Sequence, residues 1–154
     1  MLSILFILAA ATQPPLPLQW AQFRRAGALS RVSETVDVAT GGKRIGADFP
    51  YQLRFTKDAL GEKPQIKWAD SATCPAVRSV IASMTSIKMP SPAPYGVPGE
   101  QMMITVDGTG YSLTAPSSDN MGEITISSNV GSPLAAWIDA SFKQLAPCWK
   151  TSAP

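Results

Sequence analysis

No histidine occurs in the 154 residues, and that absence removes several chemistries at once. Ser-His-Asp and Cys-His catalysis lack their base, H-E-x-x-H zinc sites lack their ligands, and histidine-ligated haem lacks its axial residue. Cysteine is nearly as scarce: Cys74 and Cys148 are the only two, with no C-x-x-C to support dithiol exchange. Glycine-rich phosphate cradles are missing as well. Gly41-Gly42-Lys43 has neither the upstream glycine nor the following Ser or Thr of a phosphate loop, and no G-x-G-x-x-G occurs. No D-x-D-x-D-G loop is present for calcium, and no S-x-x-K for a serine-lysine pair. The nearest variant, Thr85 to Lys88, falls at a predicted helix end, where a hydroxyl cap explains it. Asp107-Gly108-Thr109-Gly110 differs from the aspartic-protease loop because glycine, not Ser or Thr, follows the aspartate.

Excess charge is also lacking. Thirteen Lys and Arg against eleven Asp and Glu leave +2, too little to imply a polyanionic partner. The basic residues are dispersed, and the pairs Arg24-Arg25 and Lys43-Arg44 lack the set of interleaved aromatics that a stacking surface needs, so no nucleic-acid partner is expected. No cofactor or metal is expected either.

What the chain does contain is a globular composition, with 45% hydrophobic and 16% charged residues. The length predicts a single domain. Residues 1–12 read as a secretory leader: LSILFILAAA from Leu2 to Ala11 resembles an h-region with a small-residue exit, and Ala9 and Ala11 form an A-x-A pattern. As a helix this run reaches about 15 Å, half the hydrocarbon thickness, so membrane contact is expected only transiently, through the leader. No Lys or Arg precedes it, and Gln13-Pro14-Pro15-Leu16-Pro17 ends it. The location expected is secreted or periplasmic.

In that setting Cys74 and Cys148 are expected to form one structural disulfide. Closing a loop of about 75 residues stabilises a fold by about 4 kcal/mol through loop-closure entropy.

Residues 13–31 show no sustained period and read as a tether, with Trp20 and Phe23 able to dock. A domain over 32–150 and a short tail over 151–154 follow. Period-2 alternation predicts strands at Val36 and Val38, at Tyr51, Leu53 and Phe55, and at Ile66 and Trp68, the last two joined as a hairpin or meander. Further strands are predicted at Met102, Ile104 and Val106, at Tyr111 and Leu113, and at Ile124 and Ile126. The Asp107-Gly108 step predicts a hairpin between the first two of these.

Val77, Val80, Ile81, Met84 and Ile87 trace one helix face, with Pro75 at its first position. A second helix starts at Ser132-Pro133 and runs through Leu134, Trp137, Ile138, Phe142 and Leu145, with Asp139 and Lys143 as an outward i, i+4 pair. The bridge would join the start of one helix to the end of the other. The fold expected is an α+β two-layer sandwich: a mainly antiparallel sheet of about five strands, two helices on one face, and one disulfide.

The reading of function follows from these exclusions. A non-catalytic binding module of the envelope or extracellular space is expected, its partner a protein or envelope component. The candidate interaction residues are Pro92, Pro94 and Tyr95, within the proline-rich stretch 89–99, and Trp149, which lies beyond the helix pattern. The alternatives are a histidine-independent hydrolase using Ser/Lys or two carboxylates, and an inhibitor that inserts the 89–99 loop into its target.

Overall fold

The computed structural model describes residues 16, 18–41, 44, 46, 48–89, 108–119 and 121–154. The expected leader, the strand at 102–106 and the candidate residues Pro92, Pro94 and Tyr95 lie outside the described residues.

The elements are β1 (Gln19–Gly27), β2 (Val32–Thr40), β3 (Tyr51–Ala59), β4 (Gln65–Asp70), α1 (Pro75–Ser83), β5 (Thr109–Pro116), β6 (Glu123–Asn129) and α2 (Pro133–Leu145). The strands form one sheet in the order β4-β3-β2-β1-β5-β6, and every adjacent pair is antiparallel. Both helices cover the same face, α2 over β1, β5 and β6, and α1 over β3 and against α2. The α+β sandwich with one disulfide is therefore the architecture, with six strands among the described residues rather than about five.

The sheet register explains the core. Phe23 of β1 lies between Val36 of β2 and Leu113 of β5, and the same row continues to Phe55 and Ile126. All five are buried, Phe23 completely. Its ring meets Trp137 and Phe142 of α2 edge to face, at centroid distances of 5.2 and 5.7 Å. Burying such a side chain stabilises the fold by about 2 to 3 kcal/mol, and the aromatic geometry adds to it.

Three expectations are corrected. Residues 19–27, within the stretch that lacks a sustained period and reads as a tether, form β1, a central strand paired on both sides. Its period-2 pattern is masked because Arg25 occupies a helix-facing position in line with Ala21 and Phe23, where Glu34 and Asp139 neutralise it. The Asp107-Gly108 step was expected to pair 102–106 with 111–113. From Gly110 to Thr114 both edges of β5 are instead filled, by β1 and β6, so no edge remains there for such a partner. Finally, Asp139 does not pair with Lys143. Its carboxylate accepts from Arg25 and from the Tyr111 hydroxyl, because α2 turns that position toward the sheet.

The helix starts follow the sequence logic. Ser132 Oγ accepts from the backbone N–H of Ala135 at 3.1 Å, and Pro133 occupies the first turn of α2. Ahead of α1, Asp70 accepts from the N–H groups of Ala72 and Thr73 and from Thr73 Oγ1. This turn delivers Cys74, in extended conformation, to the position before Pro75. Cys148 lies in a short turn just after α2, and the two cysteines are bonded with a Cα–Cα distance of 5.8 Å.

Candidate functional site

Three side-chain arrangements stand out, two polar and one apolar. The first polar cluster lies where α2 crosses the helix-covered face. Arg25 donates from Nε to Glu34 Oε2 at 2.7 Å and from a terminal nitrogen to Asp139 Oδ1 at 2.8 Å. Tyr111 Oη donates to Asp139 Oδ2 at 3.0 Å, Lys57 Nζ stands 3.8 Å from Glu34, and the guanidinium lies 4.5 Å above the Phe142 ring. Burial lowers the pKa of Arg25, but the bonds to Asp139 and Glu34 outweigh it and the net shift is upward. Burial and the bond to Asp139 both push the Tyr111 phenol above its ordinary value of 10.0, so it stays a donor at neutral pH. Clefts of 270 and 370 Å³ flank the cluster. Two carboxylates are what the hydrolase alternative would need, but here both are turned onto one guanidinium, and the arrangement serves as a clamp between α2 and the sheet.

The second polar cluster is on the other face. Asp37 is only 3% exposed, and its Oδ2 accepts from Arg54 Nε and from a terminal Arg54 nitrogen at 3.0 and 2.8 Å. Its Oδ1 accepts from Gln22 Nε2 at 2.7 Å and Gln19 Nε2 at 3.1 Å. Every lone-pair direction of the carboxylate is thus used, as a buried charge requires. The aspartate within Val36-Asp37-Val38 was legible as a polar position of a strand. Its burial was not, since Arg54 and Gln22 arrive from other strands.

The apolar arrangement is a groove of 470 Å³ between the end of α1 and the β5-β6 pair, lined by Trp20, Ile81, Met84, Ile87, Leu113 and Ile126, with Met89 and Ile124 at its sides. Its form follows from how α1 ends. Ser83 Oγ, Thr85 Oγ1 and Ser86 Oγ each donate to a carbonyl three residues earlier, at 2.8, 3.0 and 2.7 Å. The helix tightens into a short turn over Met84–Ser86, and the chain leaves in extended form at Ile87. Hydroxyl back-bonding of this kind competes with the helical ladder. Met84 and Ile87 thereby stay half-buried and Met89 stands 56% exposed, facing a sheet wall of Leu113 and Ile126.

Of the candidate residues, Cys74 and Cys148 are brought together as a disulfide. Trp149 is half-buried with its ring 5.4 Å from that of Phe55. It lies away from the groove, in the cleft that holds Lys67 and Lys143. The helical periodicity that places Ile81, Met84 and Ile87 on one apolar face is the signal for the groove, and it says nothing of the sheet wall opposite. Among the described residues no cluster of three His, Cys, Asp or Glu is placed to hold a metal, and no helix is long and apolar enough to cross a membrane.

Fold and sites together define a disulfide-bridged α+β two-layer sandwich with an apolar groove beside β6, the end strand of the sheet among the described residues. Compared with known protein families, characterised proteins and solved structures, the chain has no match. The bridge marks an oxidising, non-cytoplasmic setting.

Proposed function

We propose that this protein is a secreted or periplasmic, non-catalytic binding module that takes an apolar segment of an envelope or extracellular protein into the groove between α1 and the β5-β6 pair. The groove carries the reading: it combines a rigid wall of Leu113, Ile124 and Ile126 on two paired strands with the adaptable thioethers of Met84 and Met89. A few aliphatic anchors beside flexible methionines suit apolar side chains of varied shape. The Cys74–Cys148 bridge supports the compartment, because such bonds persist where thiols are oxidised.

The test uses the anionic dye 8-anilinonaphthalene-1-sulfonate, whose aromatic rings seek apolar surface, as a first probe, followed by amide NMR shifts, with the uncharged Ile87→Asn as the variant. The expected result is that shifts concentrate at Trp20, Leu113 and Ile126 and that Ile87→Asn abolishes them. Shifts scattered over the surface, or unchanged in the variant, would reject the groove as the binding site.

A further inference from the structure

The two edges of the sheet are treated differently. At the β4 edge, Trp68 and Lys150 exchange both backbone N–H···O bonds at 2.8 Å. Lys150 Nζ donates to Thr73 Oγ1 at 2.8 Å and stands 3.7 Å from Asp70, and the disulfide at Cys148 ties down the same segment. This edge is blunted. At the other end, β6 pairs with β5, and among the described residues no strand pairs with its outer edge. β6 reads EITISSN: it has no proline and no lysine, its ladder to β5 has no register shift, and its one charge is Glu123 at the first position. Natural edges are ordinarily protected by such devices, and a regular, weakly charged strand without them is a template for another strand.

We propose that β6 pairs antiparallel with β6 of a second copy of this chain, about a two-fold axis through Ile126, to give one continuous sheet. The strand is self-complementary in the register that uses all seven of its residues. Glu123 then faces Asn129 of the second copy, Ile124 faces Ser128, Thr125 faces Ser127, and Ile126 faces its own equivalent. No like charges meet. The hydroxyl pairing of Thr125 with Ser127 repeats across the axis what Thr114 and Thr125 already do within the chain at 3.1 Å. Because the contact is isologous and the β4 edge is blunted, assembly closes at two copies instead of growing into a fibre. Ile124 and Ile126 also line the apolar groove, so pairing brings the two grooves side by side on one face.

Sedimentation of the purified chain over a range of concentrations tests this, with circular dichroism to check folding. The side chains of Thr125 and Ser127 are both exposed. Thr125→Lys/Ser127→Lys sets lysine against lysine twice across the axis and is expected to weaken dimerisation by about tenfold or more. Thr125→Lys/Ser127→Glu sets lysine against glutamate twice in the proposed register and is expected to restore it. In a register shifted by two residues the same variant would oppose like charges, so rescue also reports the alignment. A chain that stays monomeric at every concentration overturns the proposal and leaves the edge to another segment or a foreign strand. Equal dimerisation by the two double variants overturns it too.

Discussion

The indole Nε1–H of Trp137 donates to Ser83 Oγ at 2.9 Å and joins the early part of α2 to the end of α1 across 54 positions of sequence. At the opposite ends of the two helices stands the Cys74–Cys148 bridge. The helices are thus antiparallel and pinned at both ends, once by a covalent bond and once by a hydrogen bond.

Removing the hydrogen bond is expected to cost about 1 kcal/mol in Ser83→Ala, which leaves the indole N–H without its partner. Urea unfolding of Ser83→Ala, Trp137→Phe and the double variant forms a thermodynamic cycle that isolates the bond from the lost indole packing. Strictly additive effects would show that the two groups do not interact.

The bridge closes a separation of 74 residues, so replacing both cysteines by alanine is expected to lower stability by about 4 kcal/mol. Thiol titration of the denatured protein, purified without reductant, is expected to find no free thiol. Two reactive thiols would contradict both the bridge and the compartment inferred from it.

The two carboxylate-arginine pairs are expected to differ sharply. Asp37 and Arg54 have side chains 4% and 19% exposed, whereas Arg25 and Asp139 are 35% and 46% exposed. Asp37→Ala leaves the half-buried Arg54 guanidinium and two glutamine amides without their acceptor, with an expected loss of about 3 kcal/mol. Asp139 is partly exposed, so solvent screens its pair with Arg25, and Asp139→Asn is expected to cost about 1 kcal/mol or less. Chemical denaturation of both variants checks the contrast, and similar losses would refute it.

Acid is expected to loosen the turn before Cys74. Partial burial raises the Asp70 pKa, but the bonds from Thr73 and Ala72 and the charge of Lys150 outweigh it, leaving a net shift below the model-compound value of 3.8. A carboxyl group with its folded pKa depressed contributes stability above its unfolded pKa and loses it as pH falls through the folded value. The stability gap between wild type and Asp70→Asn is therefore expected to hold at neutral pH and shrink below about pH 4. A gap constant into strong acid would remove Asp70 from that role.

Much of this architecture was legible in the sequence, and the reasons are local. Pro75 and Ser132-Pro133 mark helix starts because they satisfy or remove orphan N–H groups whatever lies nearby. The alternation of Tyr51, Leu53 and Phe55 with polar residues marks β3 because the pleat has period two. β1 escaped for the converse reason. Arg25 on its buried side makes sense only once Glu34 and Asp139 are beside it, and those residues come from β2 and α2. The groove escaped in the same way, since its two walls belong to α1 and to strands that follow it in the chain.

The sequence by itself determined the types of β2 to β6 and of both helices, the proline-marked helix starts, the cysteine pairing and the absence of histidine chemistry, all properties of neighbouring residues or of composition. Only the tertiary structure decided that residues 19–27 stand in the middle of the sheet, that Asp37 is buried against Arg54, that β5 lies between β1 and β6, and that β6 ends the sheet among the described residues. Strand order and charge pairing depend on which distant segments meet, and the short-range periodicity of a single segment carries no information about its partners.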